Sequence, residues 1–231
     1  MVPSLDRSVR SLNILSNLRF SQDDTSNTFQ YFIDTWEKRK LKDFLIESRD
    51  KGTDGLKAKK LTVKLWGKGV VKKESVYLGS SATKYFTRHA GQLMYGKLDF
   101  LHGAFGIVPQ ELEGYESTLD SPAFNVLEIN QYFLLQKLLQ KNFYLYEGLI
   151  ANGSRKAKRI HVDTFLDMSV KLPKREEQDK VACIFQNLDQ LITVNQRKVD
   201  LLKKKKAGYL QKLFPRNGQN KPELRFKGYT D

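Results

Sequence analysis

The chain has 231 residues, with 40 Lys plus Arg against 26 Asp plus Glu and a formal net charge of +14. At 40% hydrophobic and 11% aromatic it is too apolar to be wholly disordered, and no stretch approaches the ~20 uninterrupted apolar residues of a bilayer crossing. One cysteine, Cys183, excludes an internal disulfide, and the scattered His89, His102 and His161 add no zinc-ligand spacing.

Residues 1–35 form a polar leader. Leu5, Val9, Leu12, Leu15 and Leu18 are spaced to share a helical face, and Ser21 to Asn27 is a polar break. With Asp6 and no apolar core the start does not read as a signal peptide, so a reducing cytoplasm is expected. Residues 36–171, roughly 135 in number, are enough to bury a core of their own. Lys60–Trp66 and Glu74–Leu78 alternate as strands do. Gly91–Gly96 and Ala104–Val108 are short apolar runs punctuated by Gly and closed by Pro109, which predicts buried strands. Tyr132, Phe133, Leu135, Leu138 and Leu139 predict a helix over Ile129–Lys141. The expected fold class is α+β, a mixed sheet followed by helix.

Residues 172–215 carry the strongest periodicity. Pro173 stands where helices start, and Glu176, Glu177 and Asp179 suit the positive end of a helix. No Gly intervenes before Gly208 and no Pro before Pro215. Val181, Leu188, Asn195, Leu202 and Tyr209 recur every seven residues, as do Phe185, Ile192, Val199, Lys206 and Leu213. The alternating steps of four and three are those of a coiled-coil seam, and the polar Asn195 and Lys206 suit a role in register. A helix of this extent is ~55–60 Å long, too long to lie on one small domain. Residues 216–231 are polar, with Gly218, Pro222 and Gly228, and read as a linker.

The positive charge is clustered: in Trp36–Lys73, in Arg155, Lys156, Lys158 and Arg159, and in Lys203–Lys206. Three such clusters favour a nucleic-acid partner over a membrane surface. A catalytic constellation is missing. Gly67-Lys68-Gly69 is too short for a phosphate loop and reads as a tight turn between strands. No Asp or Glu is followed two residues later by Lys, the local mark of metal-dependent DNA cleavage, and there is no Asn-Pro-Pro-aromatic run or Gly-x-Ser-x-Gly elbow. Cys183 falls on the outward side of the long helix and reads as an inert surface thiol.

Three stretches resemble the specificity (S) subunits of type I restriction-modification systems. Trp36-Glu37-Lys38-Arg39-Lys40-Leu41-Lys42-Asp43 resembles the opening of a target-recognition domain. Leu93 to Pro109, through Tyr95-Gly96-Lys97 and Gly103-Ala104-Phe105-Gly106, is similar to a strand–turn–strand segment of such domains. Leu172-Pro173-Lys174-Arg175-Glu176-Glu177-Gln178, running on to Gly208-Tyr209-Leu210-Gln211-Lys212-Leu213-Phe214-Pro215, resembles the spacer helix that follows each one. A full S subunit has two of each, whereas this chain has one. Leu224-Arg225-Phe226-Lys227-Gly228-Tyr229 resembles the lead-in to a second domain, with Leu18-Arg19-Phe20 as a partial copy, while the rest of the leader is unlike the family.

The resemblance implies a half-length or truncated S subunit. Its mixed-sheet recognition domain binds double-stranded DNA at one half of a split site, and its long helix forms the coiled coil. The candidate DNA contacts are Lys64, Lys68, Lys84, Lys97, Arg155, Lys156 and Lys158, with the Gly-Ser turn before Arg155 suited to close approach of phosphate. A homodimer is expected through Val181, Phe185, Leu188, Ile192, Asn195, Val199, Leu202 and Tyr209. The implied partners are methyltransferase (M) subunits, bringing S-adenosylmethionine, and a motor-nuclease (R) subunit, bringing ATP and Mg. This chain itself holds no cofactor or metal and no membrane. The alternatives are a decoy that binds methyltransferase subunits without directing them and a small nucleic-acid-modifying enzyme.

Overall fold

In a computed structural model of the chain, residues 36–74, 80–152 and 159–229 are described. The leader helix expected before Thr35, the Leu18-Arg19-Phe20 motif, most of the strand expected over Glu74–Leu78, and the Gly153–Lys158 stretch lie outside the described residues.

The described chain begins with strands β1 (Glu37–Lys40), β2 (Leu45–Ser48), β3 (Lys51–Asp54), β4 (Leu61–Val63), β5 (Val70–Lys72) and β6 (Lys84–Thr87). It continues with β7 (Leu93–Tyr95), β8 (Phe105–Ile107), β9 (Glu116–Ser117) and β10 (Ala123–Val126). Helices α1 (Gln131–Leu138), α2 (Lys141–Asn152) and α3 (Val162–Asp167) follow, then β11 (Ser169–Leu172) and the long helix α4 (Arg175–Lys212). The central sheet has the order β2-β10-β7-β8, flanked by β3-β6-β9, the β4-β5 hairpin and the β1-β11 pair. The ladders are antiparallel, and a parallel bridge from Lys60 to Glu116 joins β9 to the residue before β4.

Leu93, Met94 and Tyr95 are all fully buried, which is why β7 reads as a continuous apolar run rather than an alternating one. One face of the central sheet packs under α1, α2 and α3 through Leu93, Tyr95, Phe105, Phe124, Phe133, Leu134, Leu138 and Phe165. The other face carries a smaller cluster of Met94, Ala104, Val108 and Ala123 with Leu61, Val63 and Val70 of the hairpin. Gly106 makes that second contact close. A Cβ there would stand 2.9 Å from the carbonyl carbon of Gly69 and from the amide nitrogen of Val70.

Phe165 is the hub of the larger core. Its ring centroid lies 4.4 Å from Tyr95, 5.4 Å from Phe124 and 6.1 Å from Phe100. Truncation of such a ring typically costs about 3–5 kcal/mol. We expect Phe165→Ala to lower the melting temperature by roughly 10 °C, measured by circular dichroism on the full chain.

Polar groups in the interior are paired. Arg88 is 1% exposed. It donates from Nε to Ser117 Oγ at 2.7 Å and from Nη1 to the Ser48 carbonyl at 2.8 Å, tying β2 to β9. Burial pulls its guanidinium down to about 10, against the pull of Glu47 and Asp50, so it remains a cation at neutral pH. Tyr95 donates its hydroxyl to the Ile160 carbonyl at 3.0 Å, and burial holds that phenol above its ordinary range.

Two expectations are corrected. Of the Lys60–Trp66 strand, only Leu61–Val63 forms, because Trp66 turns into the left-handed region with φ 60°. The helix expected to end at Lys141 is two helices. α1 stops at Leu138, Phe143 N donates to the Gln140 carbonyl at 2.8 Å, and α2 runs on to Asn152. Phe143 and Tyr144 enter the core, but Leu145, Tyr146, Leu149 and Ile150 are exposed, so apolar residues surround α2 and conceal its period.

Candidate nucleic-acid interface and spacer rod

Six residues, Lys64 to Gly69, join β4 to β5. They place Lys64 and Lys68 on one tip, both exposed, and confirm Gly67-Lys68-Gly69 as a turn between strands. The tip closes on itself through Lys64 N to the Gly69 carbonyl at 2.8 Å. It is also fastened to the neighbouring turn, with Trp66 N to the His102 carbonyl at 2.8 Å and Gly67 N to the Gly103 carbonyl at 2.9 Å. Gly67 has φ 65°, and a Cβ on it would meet Leu139 at 2.9 Å. Trp66 has no such freedom, and a bulky residue held at positive φ typically carries about 1–3 kcal/mol of strain.

Lys97 opens the turn to which this tip is fastened. It is half-buried: its amide donates to the Asp120 carbonyl at 2.9 Å and its carbonyl accepts from Ile160 N at 3.0 Å. Burial draws its ammonium below the usual lysine range, with Glu47 and Asp120 opposing and Arg159 and Arg49 assisting. Arg159 pairs with Asp120 at 3.4 Å. Arg49, Lys97 and Arg159, interleaved with Glu47 and Asp120, therefore form a cationic group where that turn begins. Arg155, Lys156 and Lys158 lie outside the described residues. Lys84 is exposed on a different sheet, on β6, where Lys60 Nζ sits 5.7 Å over the neighbouring Tyr85 ring. The structure brings the turns of Lys64, Lys68 and Lys97 together and sets Lys84 apart. Sequence reasoning passed over Trp66 and Arg49. Trp66 had a signal, an aromatic between two lysines and next to glycine; Arg49 had none, because its place depends on sheet pairing.

β11 pairs with β1, Glu37 opposite Leu172, so the last strand of the head is held by its first. The rod α4 leaves directly from there. Its root is clasped by Gln178, which is buried. The Gln178 side chain donates to the Pro173 carbonyl at 2.9 Å and accepts from Asn130 N at 3.0 Å. Asn130 caps α1, accepting from Tyr132 N and Phe133 N, and donates to Asp179 at 2.7 Å. Asp179 is held below the usual carboxylate range by that bond and then by Arg175. Ten residues further along the rod, Tyr132 donates its hydroxyl to Asp189. Burial, and then this bond, push the Tyr132 phenol up to about 12, so it stays a donor at neutral pH.

Beyond Ala182 no described residue of the rod is buried, although Asp189 still meets the head through Tyr132. Every residue from Cys183 to Ala207 is exposed. At 38 residues the helix is about 57 Å long. Of the seam, Val181 is half-buried against the head core, whereas Phe185, Leu188, Ile192, Asn195, Val199, Leu202 and Tyr209 are uncovered, Leu188 at 38% and Ile192 at 65%. Ile184, Leu191, Val194 and Leu201 are uncovered as well. They widen the stripe to one side of the two-series seam. Cys183 is exposed, 3.6 Å from Asn187 Nδ2. The far end is closed by the following segment: Leu224 N donates to the Lys212 carbonyl at 2.8 Å, and Glu223 pairs with Lys212 at 3.3 Å and Arg216 at 3.4 Å. Among the described residues there is no His, Cys, Asp or Glu group suited to a metal ion, and no helix long and apolar enough to cross a membrane.

No family model matches the chain. A curated relative, the putative type I restriction enzyme MjaX specificity subunit of Methanocaldococcus jannaschii, is 32% identical over 82 residues, which make up 36% of this chain and 19% of that protein. Among solved structures, the HsdS subunit from Thermoanaerobacter tengcongensis superposes with a TM-score of 0.53 at 15% identity, covering 82% of this chain and 52% of its own. The type I restriction-modification S subunit from M. genitalium superposes with a TM-score of 0.50 at 17% identity, covering 78% of this chain and 46% of its own. The chain spans about half the length of these solved S subunits and a fifth of the curated one. The resemblance read from the sequence holds: a mixed-sheet head and long C-terminal helix form the fold of about half an S subunit.

Proposed function

Since the chain carries the type I specificity-subunit fold across one head and one rod, we propose that it is the DNA-recognition component of a restriction-modification assembly. In this reading it performs no chemistry. Phosphate contacts from the hairpin-tip lysines position the head, and neighbouring side chains read base edges in one half of a split site. The rod pairs antiparallel with the rod of a second copy and holds two heads at a set separation. Two-fold symmetry then gives a palindromic target with a fixed gap. Methyltransferase subunits contribute S-adenosylmethionine and a motor-nuclease subunit contributes ATP and Mg, all in the cytoplasm with the DNA.

The observation that carries this reading is the uncovered apolar stripe on the rod, from Phe185 to Tyr209. An exposed seam of this length requires a partner. Its extra breadth, through Ile184, Leu191, Val194 and Leu201, suits a bundle in which a second rod and a partner subunit's helix both pack.

The test combines the chain with a cognate methyltransferase subunit and maps methylated adenines on plasmid DNA. Methylation at a split palindrome, dependent on both proteins, is expected. Capture of the subunit with no methylation identifies a decoy, and modification by the chain alone identifies an enzyme; either result overturns the proposal.

A further inference from the structure

We propose that Trp66 is the specificity-determining apolar contact of the head, covering a base edge in the DNA groove between phosphates held by Lys64 and Lys68. This deepens the recognition function proposed above and rests on it.

Three observations converge on this residue. First, Trp66 does not serve the core. Its side chain is 58% exposed, and its ring contact is an edge-on approach to His102 at 5.5 Å, itself a surface residue. Second, its backbone is held where a tryptophan is rarely found, at φ 60°, immediately before Gly67 at φ 65°. A glycine would adopt that conformation freely. A strained residue whose side chain adds little burial points to a use outside the fold.

Third, the strained position is fixed. The tip is fastened by four backbone hydrogen bonds: Lys64 N to the Gly69 carbonyl, Lys68 N to the Leu65 carbonyl at 3.3 Å, Trp66 N to the His102 carbonyl and Gly67 N to the Gly103 carbonyl. The absence of a Cβ on Gly67 lets Leu139, the C-cap of α1, press on the tip. The indole thus stands on a rigid frame, flanked in sequence by two exposed lysines. A two-stranded ribbon is one of the two elements the major groove admits, and the apolar group offered there is the thymine methyl. A flat, rigid ring reads such a group at little entropic cost, and the flanking lysines neutralise the phosphates on either side.

The test uses the full chain with its methyltransferase subunit and the duplex it selects from a random library. Trp66→Ala and Trp66→Gly are expected to bind that duplex roughly tenfold more weakly and to lose preference at one base pair in each half-site. Replacing the thymine of that pair by deoxyuracil, which removes only the methyl group, is expected to weaken the wild-type chain but not Trp66→Ala. Trp66→Gly relieves the backbone strain, so its melting temperature is expected to hold or rise while affinity falls. Two results overturn the assignment: variants that select the wild-type sequence with wild-type affinity, or a melting temperature that falls in step with affinity, the mark of a purely structural role. A wild-type chain that selects no sequence overturns the recognition reading itself, and this assignment with it.

Discussion

A chain carrying Leu188→Asp is expected to sediment as a monomer at micromolar concentrations where the wild-type chain is a dimer. Leu188 lies in the uncovered seam, 38% exposed in the single copy, and six residues beyond Ala182, the last buried residue of the rod. Burial of a leucine contributes about 1.5–3 kcal/mol. The substitution removes that contribution from both copies and leaves two carboxylates facing an apolar seam. Burying an ionised carboxylate without a partner costs several kcal/mol. The sum corresponds to a rise of at least ~1000-fold in dissociation constant. The head is expected to keep its melting temperature, because the rod residues buried at its root, Gln178 and Ala182, and the Tyr132–Asp189 bond are all left in place. Light scattering distinguishes the outcomes. A wild-type chain that stays monomeric at tens of micromolar, or a Leu188→Asp chain that still dimerises, contradicts the seam.

Reversing three charges, Lys64→Glu, Lys68→Glu and Lys84→Glu, is expected to weaken duplex binding by more than ~100-fold at 100 mM salt. The salt dependence carries the sharper information. Each phosphate contact contributes a slope of about −0.9 in log affinity against log salt, so the triple variant should flatten the slope by about 2.7 if all three lysines touch phosphate. Lys64 and Lys68 share the hairpin tip, whereas Lys84 stands on the β3-β6-β9 sheet. The double hairpin variant therefore tests one surface and Lys84→Glu the other. A slope that is unchanged in the double variant and flattened by Lys84→Glu alone would move the interface from the tip to that sheet. Titration by fluorescence anisotropy at several salt concentrations reads both quantities.

The sequence revealed the parts of this fold that depend on local pattern. The rod was legible because Pro173, the acidic first turn and the seven-residue recurrence all act within one helix, and it runs over Arg175–Lys212 as that pattern requires. The buried strands β7 and β8 were legible from apolar runs bounded by glycine. The turn at Gly67-Lys68-Gly69 was legible because two small residues around a lysine cannot continue a strand comfortably. What depends on pairing across the chain was not. β1 is a run of four exposed residues, Glu37-Lys38-Arg39-Lys40, and becomes a strand only because β11 lies beside it, more than a hundred residues away. β2 and β10 likewise form a ladder between distant segments. The helix α2 was hidden because its outward face is as apolar as its inward one.

The candidate site divides in the same way. Charge density along the sequence pointed to a polyanionic partner, and Lys64 and Lys68 stand together as neighbours in a short turn should. The turn that Lys97 opens is joined to that tip by the fastening of Trp66 and Gly67 to His102 and Gly103, a contact that no spacing encodes. Val181 leads the seam in sequence, yet half its surface is spent on the head, because the clasp at Gln178 presses the first turns of the rod against α1. The exposed width of the stripe, through Ile184, Leu191, Val194 and Leu201, emerged only once the helix was seen to stand clear of the head.

The most direct test of the account is to sequence the duplexes retained from a random library by the full chain with its methyltransferase subunit. Two inverted copies of one short motif, separated by a single constant number of base pairs, are the predicted result, since two identical heads on a rigid antiparallel pair of rods allow no other arrangement. One contiguous unrepeated motif, or inverted halves at variable separation, would contradict it.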